Sequence, residues 1–365
     1  MSHSSALESV SPACLPRCAA AVLTLLSTLA AAQPPSTVTS RTDAGGHQGD
    51  YCSATTRLLR QSCEHEAADD NFRARALCVN QPDAVQRARC QADARQALAQ
   101  TQRQCEAQQV ARTDLCGSLG EQRYAPDFDP THFDADFRHL TRANPYFPLA
   151  IGNSWRYGGG GEAIVVNVQD KTKLIAGVRC ISFQDRVTED GAVVENTFDW
   201  YAQRKDGTVY YCGEIARNYE LFEGDHPYEP ELVDVDGSWK TGRDGDLPGT
   251  QFLAEPRVGA VYRQEFSPGN AEDAATVLSV NYGYGTDAEL DRFVPPALAR
   301  HLCAANDCVV TGEFTPIDPT AYERKYYARG IGLFLEVDPA GGSSVRLLEC
   351  NMDPRCAGLA AVATP

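Results

Sequence analysis

The segment ENTFDWYAQRKDGTVYYCGE, from Glu195 to Glu214, decides how the second half of this chain folds. Thr197–Gln203 and Thr208–Cys212 are rich in aromatic and β-branched residues, which favour strands. Lys205-Asp206-Gly207 lies between them and supplies a turn with one left-handed position. The sequence therefore predicts a β-hairpin here.

Side chains of this hairpin are expected on both faces of a sheet, because successive residues alternate across a strand. Trp200 and Ala202 belong to one face, and Tyr201 and Gln203 to the other. From Asn144 onward, similar alternating runs separated by Gly, Asp-Gly or Pro predict about twelve strands. One short helix is expected among these strands, at Ala297–Leu302, but not the helix after each strand that a parallel fold would require, so the expected β-domain is a curved antiparallel meander sheet or a barrel-like sandwich.

The region between Tyr51 and Gly120 has a different composition, dominated by Ala, Gln, Arg and Glu, which favour helix. Its six cysteines are separated by 11, 15, 12, 15 and 11 residues, a palindrome centred on the break at Asn80-Gln81-Pro82-Asp83. Steps of this size keep cysteines near one stripe of a helix, at about 100° per residue. The sequence predicts two antiparallel helices stapled by three disulfides: Cys52 with Cys116, Cys63 with Cys105, and Cys78 with Cys90.

The remaining cysteines of the mature chain lie in the β-region. Cys303 and Cys308 are predicted to pair locally, as are Cys350 and Cys356. Cys180 and Cys212 lie on strands separated by an intervening strand, so the sequence leaves their redox state open. An even number of cysteines without a C-x-x-C pair is typical of a protein folded in an oxidising compartment.

Export is also indicated by the start of the chain. Arg17 precedes an apolar run from Cys18 through Leu29, and Ala30-Ala31-Ala32 offers a cleavage site. The long stretch before the apolar run leaves the true start codon open. No second run approaches the roughly 20 apolar residues that span a bilayer. A periplasmic or secreted location without a membrane span is therefore expected.

The predicted organisation is α+β. Its parts are a signal peptide at 1–32, a flexible tether at 33–50, a Cys-rich helical hairpin at 51–120, a connector at 121–147, an antiparallel β-domain at 148–356 and a tail at 357–365. The formal net charge is −16, and the excess of acidic residues lies mainly in the β-domain. This charge disfavours nucleic acid as a partner, because binding phosphates requires basic surfaces.

Several motifs resemble those of a family of exported bacterial proteins of unestablished function. The matching segments are Asn144-Pro145-Tyr146-Phe147-Pro148-Leu149, Gly152-Asn153-Ser154-Trp155-Arg156-Tyr157, Asp199-Trp200-Tyr201-Ala202-Gln203, Asp206-Gly207-Thr208-Val209-Tyr210-Tyr211, Gly213-Glu214, Gly242-Arg243-Asp244-Gly245 and Lys325-Tyr326-Tyr327-Ala328-Arg329-Gly330-Ile331-Gly332. The resemblance covers most of the C-terminal two-thirds of the chain. It implies export, and it brings no catalytic residue with it.

An aromatic set with two charged neighbours is the predicted ligand-binding site, because binding cavities combine aromatic walls with a few polar groups. Ordinary packing in a β-domain is the competing interpretation. At most half of the tyrosines can face one cavity, since adjacent residues point to opposite faces. The set consists of Trp200, Tyr201, Tyr210, Tyr211, Glu214, Lys325, Tyr326 and Tyr327.

Metal and catalytic signals are sparse. Asp234, Asp236, Asp244 and Asp246 form an acidic loop that could hold calcium, although turn formation explains such residues as well. No cofactor is predicted. The sequence has no G-x-S-x-G or H-E-x-x-H motif, and its Gly158–Gly161 run lacks the Lys and Ser or Thr of a phosphate loop.

These observations favour a non-enzymatic binding module with the β-domain as the recognition surface and the helical hairpin as a rigid spacer or docking arm. Its expected partner is an envelope protein or a small apolar or sugar-like ligand. An envelope hydrolase and a purely structural envelope protein remain alternatives. A hydrolase would place His139, His226 or His301 beside an Asp and a Ser or Thr in one cleft, whereas a structural protein would have no pocket.

Overall fold

The computed structural model describes residues 49–359. The predicted signal peptide, most of the tether and the end of the tail lie outside these residues. Within them the chain is a mixed α+β structure: two long helices come first, and a large antiparallel sheet follows. The predicted fold class is confirmed, and the sheet is curved but not closed.

The N-terminal hairpin consists of α1 (Tyr51–Val79) and α2 (Ala84–Leu119). Asp83 caps α2, because its carboxylate accepts hydrogen bonds from the backbone N–H groups of Val85 and Gln86. The predicted disulfides Cys52–Cys116, Cys63–Cys105 and Cys78–Cys90 are confirmed. They join the two helices at three levels along their length, as the palindromic spacing requires.

Fifteen strands occur among the described residues, and α3 (Pro296–Leu302) lies between two of them. The strands are β1 (Ser154–Gly159), β2 (Glu162–Ile175), β3 (Val178–Glu189), β4 (Ala192–Gln203), β5 (Val209–Ile215), β6 (Asn218–Glu220), β7 (Glu231–Asp234), β8 (Trp239–Lys240), β9 (Gly249–Phe252), β10 (Val261–Arg263), β11 (Ala274–Tyr282), β12 (Cys308–Phe314), β13 (Tyr322–Ala328), β14 (Gly332–Val337) and β15 (Ser344–Cys350). All the predicted strands are present. The short strands β6, β7 and β8 were not predicted, because none of them reaches the length at which alternation becomes visible.

The sheet order is β10-β11-β12-β13-β14-β15-β1-β2-β3-β4-β5-β8, with β9 also paired to β5. Strands at the two ends of this order approach each other where Leu247 bridges Phe266. A side chain at Gly249 would place its Cβ 1.7 Å from the carbonyl oxygen of Gln264, so only glycine permits this backbone approach. The curvature therefore turns β4 and β5 towards β12 and β13.

The two faces of the predicted β4–β5 hairpin have different surroundings. Its turn is formed as predicted, with Gly207 at φ +99°. Trp200 and Ala202 lie in a small outer cluster with the disulfide Cys180–Cys212, whereas Tyr201 lies in the main core. Cys180 and Cys212 thus form the bridge that the sequence left open. Its Cα atoms are 6.7 Å apart, and the small Ala202 packs in the same cluster.

The segment between the hairpin and the sheet packs against the outer face of the sheet. Phe133 contacts the ring of Tyr210 edge-on at 5.2 Å, and the backbone N–H of Asp134 donates to the carbonyl of Gln203.

The C-terminal disulfides Cys303–Cys308 and Cys350–Cys356 are confirmed. None of the helices among residues 49–359 combines the length and the apolar character needed to cross a bilayer.

Candidate ligand-binding site

A cavity of about 410 Å³, partly open to solvent, lies on the concave side of the sheet. We call it the sheet cavity. Strands β4 and β5 form one wall and β12 and β13 the other, with loops after β7, β10 and β12 completing it. Its lining residues are Tyr201, Tyr211, Glu214, Gly237, Gln251, Gln264, Glu265, Asn270, Ala271, Asp273, Glu313, Thr315, Ile317 and Lys325.

The first wall of the sheet cavity is aromatic. Tyr201 and Tyr211 face each other across β4 and β5, and their rings stack at 4.7 Å between centroids. The buried Trp239 contacts Tyr211 edge-on at 5.3 Å. Its indole N–H donates to Oε1 of Glu265 at 3.1 Å. This packing fixes the orientation of both the aromatic wall and the Glu265 carboxyl group.

The opposite wall carries Lys325 within a group of glutamates. Its Nζ lies 3.2 Å from Glu313, 3.6 Å from Glu323 and 3.4 Å from Glu336. Burial alone would lower the pKa of Lys325, but these three carboxylates raise it well above its usual value. The ammonium group is therefore charged and already surrounded by negative partners.

Glu313 is the carboxylate most firmly held by this group. Burial disfavours its charged form, yet Lys325 and the hydroxyl donors of Thr311 and Tyr327 lower its pKa overall. Thr311 donates to Oε1 at 2.8 Å and Tyr327 at 2.9 Å. Glu313 and Lys325 consequently form an ion pair whose charges are balanced by groups of the protein itself.

The other carboxyl groups of the sheet cavity have no such partner. Among residues 49–359, no Lys, Arg or His nitrogen lies within 4.0 Å of the Glu214, Glu265 or Asp273 carboxyl oxygens. Burial, with Glu265 and Asp199 nearby, raises the pKa of Glu214 well above its usual value. Burial, together with Asp273, raises the pKa of Glu265 to about 8. These groups retain protons at a pH where exposed carboxyls would have lost them.

Two further buried acids lie behind the aromatic wall. Asp199 accepts a hydrogen bond of 2.5 Å from the Tyr211 hydroxyl, and burial nevertheless raises its pKa to about 6. Burial, with Asp199 nearby, raises the pKa of Asp185 well above its usual value. One oxygen of Asp185 is buried without a hydrogen-bond partner in the described part of the chain. The interior of the sheet is therefore unusually rich in carboxyl groups.

The structure divides the predicted ligand-binding set between the faces of the sheet. Tyr201, Tyr211, Glu214 and Lys325 all line the sheet cavity. Tyr327 lies behind it, where its hydroxyl holds Glu313. Trp200 and Tyr210 belong to the outer cluster, where Trp200 lies 3.7 Å from the Lys173 ammonium and Tyr210 packs on Phe133. Tyr326 is buried in the main core, and its hydroxyl donates to the Leu290 carbonyl.

Sequence reasoning missed Glu265, Asp273 and Glu313. A signal existed for Glu313, because Thr311 and Glu313 alternate with Val310, Gly312 and Phe314 in β12. Polar residues at every second position of otherwise apolar strands mark a polar inner face. Glu265 and Asp273 lie in the loop region around β10 and carried no comparable pattern.

The chain was compared with protein-family models, with curated proteins and with solved structures. None of them matches. The sheet cavity is thus interpreted from its own chemistry.

The histidines named for the hydrolase alternative do not line the sheet cavity. His139 contacts Asp136 and His301 contacts the Arg355 carbonyl, both on the surface. His226 is exposed in the loop between β6 and β7. None of the three therefore shares a cleft with an acid and a hydroxyl group in the way that a hydrolase would require.

The four calcium candidates do not form one site. Asp234 accepts hydrogen bonds from Asn218 and the Asp236 backbone, Asp244 pairs with Arg243, and Asp246 is buried against the Lys240 backbone. Within residues 49–359, no group of three or more His, Cys, Asp or Glu residues is arranged to hold a metal ion.

Proposed function

We propose that this protein is a periplasmic or secreted binding protein that holds a small amine in the sheet cavity. One observation carries the proposal: Glu214, Glu265 and Asp273 converge on one cavity beside a stacked tyrosine pair, and among residues 49–359 no Lys, Arg or His nitrogen lies within 4.0 Å of their carboxyl oxygens. An ammonium ligand would favour the ionised form of these acids and pair with the carboxylates so formed. The β-domain would then be the recognition module and the helical hairpin its spacer or docking arm.

The chemistry of the walls favours an amine over a neutral sugar. Ammonium groups form charge-assisted hydrogen bonds to carboxylates, which are shorter and stronger than those between neutral groups. Aromatic faces such as those of Tyr201 and Tyr211 attract the same cations. Lys325 does not pair with Glu214 or Glu265, because its ammonium is held by Glu313, Glu323 and Glu336.

Export is supported by the covalent structure. Six disulfides bridge the described residues, and disulfides persist in oxidising compartments such as the periplasm or the extracellular space. A purely structural role is less well supported, because such a protein would not need a cavity lined by costly buried acids.

A hydrolase is the competing function, and the carboxyl groups favour it over other enzyme classes. Asp199 with a pKa of about 6 and Glu265 with a pKa of about 8 hold their protons over different pH ranges. Acid and base pairs of glycoside hydrolases depend on such a difference. Release of product from chromogenic glycosides by the wild type, but not by Glu265→Gln, would establish this function and overturn the binding proposal.

Calorimetric titration at pH 8 tests amine binding directly. We expect 1,5-diaminopentane to bind and glucose and citrate not to bind. Glu214→Gln should weaken amine binding by about tenfold or more, the loss expected for one hydrogen bond to a charged group. Glu229→Gln, a substitution at an exposed site, is the matched control. Equal affinity of the wild type and Glu214→Gln for the amine, or preferential binding of glucose, contradicts the proposal.

A further inference from the structure

A second cavity, of about 500 Å³, lies between the base of the hairpin and the sheet. We call it the hairpin cavity. It is formed by the start of α1, the end of α2, the segment after α2, and the strands β9 and β10 with the loop that follows. Its volume falls within the range of roughly 300–1,000 Å³ that is usual for small-molecule sites. None of its lining residues belongs to the sheet cavity.

Most of the hairpin cavity wall is apolar. The rings of Tyr124 and Phe266 pack at 4.6 Å between centroids, and Leu59 and Leu119 approach from the two helices. Pro268 completes this side. Such a surface suits an alkyl chain, because burying apolar groups away from water is favourable in proportion to their area.

Arg263 is a charged group in this apolar wall that has no partner of opposite charge among residues 49–359. The Arg263 guanidinium lies 5.3 Å from the centre of the Phe266 ring and 5.9 Å from that of Tyr124. Its only side-chain hydrogen bond in residues 49–359 is a long one, of 3.7 Å, to the Cys52 sulfur. In the same described region, no carboxylate lies within 4.0 Å of it. Burial lowers the pKa of Arg263.

Glu272, the acid of the hairpin cavity that could have neutralised Arg263, is paired with Arg112 instead. Glu272 also lines the hairpin cavity, but both of its oxygens accept hydrogen bonds from Arg112, at 2.8 and 2.9 Å. Glu272 also accepts a hydrogen bond from the Gly269 backbone. The Arg112–Glu272 pair is therefore complete, and the planar donors of Arg263 remain free for a ligand.

We propose that the hairpin cavity binds an amphiphilic carboxylate, such as a medium-chain fatty acid. Its carboxylate pairs with the guanidinium of Arg263, whose donor geometry matches two carboxylate oxygens. Its alkyl chain lies along Leu59, Leu119, Tyr124 and Phe266. The ligand contacts both the hairpin and the sheet, so its binding stabilises the junction between them.

Calorimetric titration of the disulfide-bonded protein with dodecanoate tests this site. We expect saturable binding of one dodecanoate per chain and no binding of dodecyltrimethylammonium, which has the same chain and the opposite charge. Arg263→Leu should weaken dodecanoate binding by about tenfold or more. Arg257→Leu, a substitution at an exposed position of the preceding loop, should leave it unchanged. Equal binding of the cationic amphiphile, or equal affinity of Arg263→Leu and the wild type, overturns the proposal.

A second variant covers the case in which Arg263→Leu does not fold. Leu59→Trp keeps the guanidinium and fills part of the cavity from α1. We expect it to abolish dodecanoate binding while its near-ultraviolet circular dichroism keeps the signature of a folded protein. Undiminished binding by folded Leu59→Trp contradicts the site. Because the two cavities share no lining residue, this result is independent of amine binding in the sheet cavity.

Discussion

Glu265 shows how a single buried acid links the stability of this protein to pH. It is only 8% exposed, and the Trp239 indole N–H donates a hydrogen bond to its carboxyl group. Burial raises its pKa from an ordinary 4.5 to about 8. As pH rises, the unfolded chain therefore loses this proton first. The stability that the protonated group contributes is complete below about pH 4.5 and is lost progressively as pH rises towards about 8.

Glu265→Gln should remove this pH dependence. The amide keeps the oxygen that accepts from Trp239 but cannot ionise, so the variant retains its low-pH stability throughout. We expect equal melting temperatures for the two proteins near pH 4.5. Near pH 8 the variant should be more stable by at least about 1.4 kcal/mol, the equivalent of one pKa unit. Thermal denaturation across this range, with Glu229→Gln as the control, measures the difference. Parallel curves for the wild type and Glu265→Gln would contradict the account.

Strand alternation in the sequence predicted which residues of the site share a face of the sheet. Tyr201 and Trp200 were expected on opposite faces, as were Tyr211 and Tyr210, because neighbours in a strand face opposite ways. Which face would be concave was not visible in the sequence. The pKa values of Glu214 and Glu265 depend on burial and on each other. Neither property can be read before distant segments have been placed together.

The helical hairpin is the element that the sequence described best. Its cysteine spacing specified the register of two antiparallel helices, and all three bridges are formed. The tip of the hairpin nevertheless contributes little core. Phe72, Leu77, Val79 and Val85 are all exposed there, and Asn71 donates a single hydrogen bond across to the Ala94 carbonyl. The Cys78–Cys90 disulfide must therefore provide much of the stability of the tip.

Removing that disulfide should open the tip locally. We expect Cys78→Ala with Cys90→Ala to lower amide protection by about 3 kcal/mol between residues 70 and 95, the contribution typical of a disulfide that closes a loop of this size. Protection in β12 and β13 should not change. Hydrogen exchange followed by mass spectrometry measures both regions at once. Replacing Cys303 and Cys308 together is the control, since it leaves the hairpin disulfides intact. Unchanged exchange at the tip, or equal loss in the sheet, would show that the bridge does not have this role.

At the scale of the whole molecule, the sheet cavity depends on curvature that strand patterns do not encode. Alternation and turn residues predicted neighbouring pairs such as β4 with β5 and β12 with β13. The two pairs are separated in the sheet by five strands, β14, β15, β1, β2 and β3. Bulges and close backbone contacts determine how far the sheet curves between them. The sequence therefore predicted the fold class and the hairpins, but not the meeting of Glu214 with Lys325 in one cavity.

A buried ion pair joins the helical hairpin to the sheet. Arg112 of α2 and Glu272 of the loop before β11 are 4% and 3% exposed, and they are connected by two hydrogen bonds. Gln108, one turn earlier in α2, donates to the carbonyl of Ile317 at 2.8 Å. Ile317 lines the sheet cavity, and Glu272 precedes Asp273, which also lines it. Ile317 thus both contacts the hairpin and lines the sheet cavity.

Arg112→Met should accordingly lower the stability of the whole protein and not only that of the junction. Removing one partner of a buried ion pair leaves the other charge uncompensated, which lowers the free energy of unfolding by about 3–5 kcal/mol. Adding Glu272→Gln should recover part of this loss, because it removes the charge that was left buried. Urea denaturation of the wild type, both single variants and the double variant forms the mutant cycle that isolates the coupling.

Arg103→Met, at an exposed position of the same helix, should have little effect. If Arg112→Met were as stable as Arg103→Met, the ion pair would not hold the hairpin to the sheet. The junction would then depend on apolar contacts such as those of Leu59 and Phe266.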